Sequence, residues 1–154
     1  IIIKKWIIEG SDTMKVVIGS DHAGFELKEH VKDYLKQKQI DVVDVGTNSL
    51  ESVDYPIYGK KVGEAVVNDN YDFGIVVCGT GIGISIAANK VKGVRAALVY
   101  NEETGRLAKE HNNANVIALG GRTTKPEEAD AIIDSYLNAQ FEQRHQKRID
   151  LLNK

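Results

Sequence analysis

Residues 76–83 read Val-Val-Cys-Gly-Thr-Gly-Ile-Gly and join the chain's single cysteine to three alternating glycines. The apolar run before Cys78 reads as a strand, and the segment from Ile84 to Lys90 reads as a helix. A strand, a glycine-rich turn and a helix start make an anion site, because unpaired backbone N–H groups point outward there. Here a thiol stands on the rim, and the positive end of the helix favours its thiolate. Such a thiolate could take a proton from carbon while the N–H groups hold the resulting oxyanion. Two plainer readings compete. A lone cysteine is often an inert, buried small hydrophobe. The glycines also approach a dinucleotide fingerprint, but that needs G-x-G-x-x-G, whereas Ile84 stands at the sixth position. Glu102 lies at about the distance expected for a ribose-binding acid, so a nucleotide site stays open as the weaker reading. No Gly-Lys-Ser/Thr follows, which excludes a Walker-type loop.

Other polar residues stand where strands or helices should end. Ser20-Asp21-His22 closes the first strand, Asp54-Tyr55 follows the second, and His111-Asn112 ends the helix after the fourth. With the glycine loop, these are expected to gather at the carboxyl ends of the strands. Each has an ordinary explanation. Asp21 and Asp54 can cap helices. His22 can be a hydrogen-bonded loop residue, and His111 can simply favour a negative helix end. Arg144 and Arg148 are four apart, so they share one helix face, which is usually a solvated one. The four histidines (His22, His30, His111, His145) have no short ligand spacing and there is no second cysteine, so no metal site is expected. His30, inside the first helix, reads as a surface residue.

The elements that must position these residues alternate. Strands are expected at Lys15–Gly19, Val42–Val45, Phe73–Val77, Arg95–Val99 and Val116–Leu119. Leu27, Val31, Tyr34 and Leu35 recur at helical spacing. Asp54 precedes Tyr55-Pro56 and a helix through Val62, Ala65 and Val66. Asn101 is a plausible cap for a helix through Leu107 and Ala108. Thr124-Lys-Pro-Glu127 reads as a capping box for a helix that turns Ala129, Ile132, Ile133, Tyr136 and Leu137 to one face. Glu142–Leu152 is charged and helix-compatible. Five strands alternating with helices imply a parallel sheet covered on both faces. The 154 residues suffice for one domain, and 42% hydrophobic with 27% charged residues is an ordinary globular mixture. A net charge of −2 argues against a general nucleic-acid surface. One cysteine allows no internal disulfide and fits a reducing compartment, the cytoplasm. No apolar run approaches membrane-spanning length. Ile1–Thr13 precede the only methionine, Met14, and read as a leader or foreign remnant ahead of a single domain over 14–154.

Taken in order, these residues resemble the sugar-phosphate isomerase family of ribose-5-phosphate isomerase B and the galactose-6-phosphate isomerase subunits. The resemblance runs from Met14 to about Lys154. It rests on Gly19-Ser-Asp-His22, Asp54-Tyr-Pro56, Cys78 through Lys90, Gly93-Val-Arg95, His111-Asn112 with Ala114-Asn-Val116, and Arg144 with Arg148. It implies a Rossmann-like three-layer α/β/α sandwich with a five-stranded parallel sheet. It also implies a homodimer or tetramer with active sites at the subunit interface, and aldose–ketose isomerisation of a sugar phosphate without metal or cofactor. On this resemblance Cys78 is the carbon base, and the N–H groups of Gly79, Gly81, Ile82 and Gly83 form the anion hole. His111, assisted by Thr80, opens the sugar ring. Asp21 and Asn112 hold sugar hydroxyls, Tyr55 lines the pocket, and His22, Arg144 and Arg148 hold the phosphate. Some relatives lack the cysteine and place a glutamate base where this chain has Ile84. Relatives acting on galactose 6-phosphate often have asparagines at Ser85-Ile86 and lack the basic pair in this form. Ribose 5-phosphate is therefore the expected substrate, with a hexose 6-phosphate such as allose or galactose 6-phosphate, or a non-catalytic nucleotide- or sugar-phosphate-binding module, as the alternatives.

Overall fold

The computed structural model describes residues 13–152, so the reading of Ile1–Thr13 as a leader lies, except for Thr13 itself, outside the described residues. Five strands, β1 (Lys15–Ser20), β2 (Asp41–Asp44), β3 (Phe73–Cys78), β4 (Ala96–Leu98) and β5 (Val116–Gly120), form one all-parallel sheet in the order β2-β1-β3-β5-β4. The helices between and after them are α1 (Phe25–Gln37), α2 (Tyr55–Asn68), α3 (Ile82–Asn89), α4 (Glu102–Glu110) and α5 (Pro126–Asn138). A 3₁₀ turn (Gln143–His145) then leads into α6 (Gln146–Leu152). Among the described residues no helix is long and apolar enough to cross a membrane.

The alternation of side chains along each strand divides the core into two layers. Val16, Ile18, Ile75, Val77, Ile117 and Leu119 face α1, α4 and α5. Val17, Val76, Cys78, Val116 and Ala118 face α2 and α3. This is the expected three-layer sandwich, and it is why β1, β3 and β5 read as unbroken apolar runs: both faces are covered. The chain steps from β1 outward to β2, then back across to β3. The order in which strands are added therefore reverses between β1 and β3, and a crevice opens beyond their carboxyl ends.

The helix starts differ in detail from the sequence reading. Helix α3 begins two residues earlier than expected, because Gly81 takes the left-handed conformation (φ +81°) and ends the loop at once. Asp54 holds the N-cap position of α2, but its side chain makes no capping bond there. Asn101 does cap α4, its Oδ1 accepting the Thr104 N–H at 2.8 Å. At α5 the capping register shifts by one residue: the Glu128 carboxylate accepts the Lys125 N–H at 2.8 Å, where Thr124 and Glu127 were expected to form the box.

Candidate active site at the carboxyl edge of the sheet

Cys78 is the last residue of β3, 5% exposed, beside the crevice. Its Sγ accepts the Gly81 N–H at 3.2 Å, and the Thr80 hydroxyl accepts the Ile82 N–H at 3.2 Å. The first backbone bond closing α3 runs from Ser85 N–H to the Gly81 carbonyl at 3.1 Å. The N–H groups of Thr80, Gly83 and Ile84 meet no acceptor among the described residues. A sulfur held by one N–H and flanked by others at a helix start is the arrangement expected for a carbon base next to an anion hole.

Around this loop stand three of the expected binding residues. Asp21 is buried, with its N–H bonded to the Val77 carbonyl at 3.2 Å and its Oδ1 accepting the Gly24 N–H at 3.0 Å. It thus shapes the turn into α1 while sitting one strand from Cys78. His22 Nδ1 accepts the Val53 N–H at 3.1 Å. That bond leaves Nε2 as the protonated nitrogen of a neutral ring and so as a donor for a ligand. The Tyr55 ring lies against Gly83: a Cβ added at that glycine would fall 2.6 Å from Tyr55 Cζ. Only glycine lets the ring close down on the loop here.

Sequence reasoning missed two contributors. Arg122 reaches over the loop from the end of β5: a Cβ at Gly79 would lie 2.9 Å from its Nη1, and its N–H bonds the Gly79 carbonyl at 2.9 Å. The strand-end rule that singled out Ser20-Asp21-His22 applies equally to Gly120-Gly121-Arg122 and would have found it. Lys28 is a fully buried cation inside α1. Its Nζ donates to both Asp44 oxygens (2.8 and 2.6 Å) and to the Thr47 carbonyl (2.6 Å). It ties down the loop after β2, whose Gly46 and Thr47 in turn bond both polar groups of the Ser20 backbone. Burial alone would raise the Asp44 pKa, but hydrogen bonds from Lys28, Lys32 and the Gly46 N–H outweigh it and hold the carboxyl below its usual range.

The remaining expected residues are not in this crevice. In a parallel sheet each connecting helix runs back against the strands, so the end of α4 lies at their amino ends. His111 is the C-cap of α4. The turn after it is fixed by Arg95, just before β4, whose guanidinium donates to the carbonyls of Asn112 (3.2 Å) and Asn113 (3.1 and 2.9 Å). The tail docks at the same end, through Glu142 N–H to the Glu110 carbonyl at 2.9 Å. His111, Asn112 and Arg148 line a separate cleft of about 330 Å³ with His145, Ile149 and Leu152. Arg144 pairs with Glu142 at 2.9 Å on this same tail. The expectation that His111-Asn112 gathers with the strand-end residues is therefore corrected. The helix end that carries it points the opposite way from the strand end.

The histidine reading also changes in three dimensions. His30 is only partly exposed, with Nε2 2.9 Å from Asp130 Oδ1. His111 and His145, far apart for linear ligand spacing, have ring centroids 4.4 Å apart. Together with Glu142 they bring three ligand atoms within 4.8 Å of one another. These histidines have no short ligand spacing along the chain, and it is the fold of the tail that brings two of them together beside a carboxylate.

Residues 16–152 match the Ribose/Galactose Isomerase family. Ribose-5-phosphate isomerase B of Escherichia coli is 43% identical over 139 residues, covering 90% of this chain and 93% of that protein. The structure of ribose-5-phosphate isomerase B from Clostridium thermocellum superposes with a TM-score of 0.89 at 50% identity, over 91% of this chain and 95% of that one. The enzyme of the same name from Mycoplasma genitalium, solved with bound ribulose 5-phosphate, gives a TM-score of 0.85 at 45% identity, over 91% and 94% of the two chains.

Proposed function

This chain belongs to the ribose/galactose isomerase family, and on that premise we propose that it interconverts ribose 5-phosphate and ribulose 5-phosphate through an enediolate, with Cys78 as the carbon base. The observation that carries the reading is the Cys78 sulfur at the β1/β3 crevice, bonded to the Gly81 N–H beside N–H groups that meet no acceptor among the described residues. The thiolate removes the C2 proton of the open-chain aldose. The C–H electrons form the C1–C2 double bond, and the negative charge collects on O1, where the N–H groups of the loop receive it. Each good donor of this kind is worth about 3 kcal/mol in the transition state. The proton returns to C1 while the O2 proton passes to O1, which leaves the ketose. Asp21 takes sugar hydroxyls, Tyr55 covers the loop, and His22 Nε2–H and Arg122 face the substrate's anionic groups.

His111, Asn112, Arg144 and Arg148 enter this scheme from a second copy of the chain. Cys78 pairs with Gly120, and Gly74 with Val116. These four residue steps, at about 3.3 Å each, separate the Cys78 level from the amino edge by about 13 Å. Proton transfer needs contact near 3 Å, so a chain's own His111 does not serve its own Cys78. The exposed apolar side chains of Ile82 and Ile86, one turn apart on α3, with Leu98 and Tyr100 nearby, support an interface of this kind. We place the enzyme in the cytoplasm, where a lone thiol base stays reduced.

The deciding experiment compares kcat/KM for ribose 5-phosphate with that for allose and galactose 6-phosphates, in chelator-treated buffer without added cofactor. Preference for the pentose phosphate is expected. No turnover of any of the three would leave only a binding module. Cys78→Ala should abolish proton exchange at C2 with a loss of about 10²–10⁴-fold, the usual worth of a general base, while substrate affinity holds. Near-normal turnover by this variant would remove Cys78 from the mechanism.

A further inference from the structure

The tail sets two side chains that the scheme above does not use, Glu142 and His145, beside His111. Glu142 and His145 are three residues apart across the 3₁₀ turn, a geometry that stacks residues i and i+3 on one side. His145 is 8% exposed, and its buried Nε2 has no hydrogen-bond partner among the described residues. That nitrogen lies 3.6 Å from Glu142 Oε1, and His111 Nε2 lies 4.0 Å from the same oxygen. A buried, unpartnered imidazole nitrogen is costly unless something occupies it. Here it is aimed at a carboxylate and a second imidazole.

We propose that His111, Glu142 and His145 form a site for a zinc-class divalent cation, whose binding switches the isomerase off. The donor set is two imidazoles and a carboxylate, with the fourth position open to the cleft, and it suits zinc, cobalt, nickel or copper rather than magnesium or calcium. In a tetrahedral zinc site with bonds of about 2.0–2.1 Å, donor atoms stand about 3.3 Å apart. The present spacings need only a small inward movement. His145 is the fixed anchor, whereas Glu142 and His111 are partly exposed and can turn. Two contacts oppose the cation. Arg144 Nη2 sits 2.9 Å from Glu142 Oε1, and Arg148 Nη1 sits 3.4 Å from His145 Nδ1. Binding must displace both, the first to free the carboxylate and the second because a ring that ligates through Nε2 carries its proton on Nδ1, so the affinity falls below that of a structural zinc site. Inactivation rests on the proposed role of His111: the metal takes the Nε2 lone pair that ring opening would use.

The test uses the full chain with cobalt and zinc salts as probes. Equilibrium dialysis should give one ion per chain, and cobalt should show tetrahedral visible bands without a thiolate charge-transfer band. Glu142→Gln and His111→Asn should each weaken binding by about tenfold or more, and Cys78→Ala should leave it unchanged. Glu142 is exposed enough that its amide should fold normally, as checked by circular dichroism. Unchanged binding in both ligand variants, loss of binding in Cys78→Ala, or no binding at millimolar metal would each overturn the site. Turnover of ribose 5-phosphate is followed in parallel, with chelator expected to restore it. Turnover without metal binding would sink this proposal and leave the isomerase reading standing. Stoichiometric binding without inhibition would sink the switch.

Discussion

A site divided between two edges of the sheet can be tested by mixing two crippled chains. One chain carries Cys78→Ala, which damages the carboxyl edge. The other carries Arg144→Ala with Arg148→Ala, which damages the tail at the amino edge. Charge-assisted hydrogen bonds are worth about 1.5–3 kcal/mol each, so the tail variant should lose at least about tenfold in kcat/KM at subsaturating ribose 5-phosphate. The Cys78 variant should lose about 10²–10⁴-fold. If each active site takes its loop from one chain and its tail from the other, every mixed dimer holds one site with both defects and one with neither. Random exchange of equal amounts makes half the dimers mixed, so a symmetric dimer should recover about a quarter of the wild-type activity per chain. Native mass spectrometry reports the exchange, and initial rates report the recovery. Recovery no greater than the parents' average, after exchange is demonstrated, would mean that one chain builds the whole site. The 13 Å spacing of the two edges would then have been misapplied, with the tail moving to reach its own crevice.

Three further outcomes follow from particular contacts. His111→Asn should slow isomerisation of ribose 5-phosphate by about 10²-fold or more, yet spare solvent-proton exchange at C1 of ribulose 5-phosphate, which precedes ring closure. Equal loss of both by NMR would contradict a ring-opening role. Gly83→Ala drives a Cβ to 2.6 Å from Tyr55 Cζ. It should push the ring off the loop and lower kcat/KM by about tenfold to a hundredfold, with an unchanged urea midpoint; a normal rate would free Tyr55 of any part in the site. Lys28→Met strands Asp44 with Lys32 as its remaining cation, and should cost about 3 kcal/mol in urea unfolding. Because the Asp44 carboxyl is held below its usual range, its contribution is complete at neutral pH. That contribution is lost only as the pH falls below about 4. Asp44→Asn should therefore flatten the acid limb of the stability curve, and an unaltered limb would discount the network.

The sheet was legible because burial on both faces writes itself into the chain. Phe73–Cys78 and Val116–Gly120 have no polar side chain to interrupt them, and the glycines that stop them are required by close approach. Helix faces were legible for the same reason, as Ala129, Ile132, Ile133, Tyr136 and Leu137 show. The cap register of α5 was not, because a carboxylate such as Glu128 can reach back from either of two neighbouring positions. Strand order was also hidden. A right-handed crossover fixes the handedness of each connection but not how many strands it skips. Lys28 gave no signal, since a lysine inside an amphipathic pattern normally lies on the solvent side.

The misplacement of His111 follows from a physical rule applied one step too far. Ligand sites gather where strands end, and the polar residue after β1 and the glycine loop after β3 obey that rule. A helix end marks the same edge only when the helix begins there, and α4 begins at the carboxyl edge and finishes at the other. Arg95 reinforces this by clamping the Asn112 and Asn113 carbonyls beneath β4, and Glu142 docks the basic tail onto the same end. The residues that the family resemblance groups into one site are thus sorted by the fold into two sets, each rigidly held and each incomplete. One set holds the Cys78 thiol and its glycine loop, the proposed base and anion hole, without the histidine proposed to open the ring. The other holds a histidine and two arginines, with no carbon base or backbone nest beside them. A pentose phosphate is shorter than the sheet that separates them, so the proposed reaction would call for a second copy of the chain, turned so that the amino edge of one sheet meets the carboxyl edge of the other.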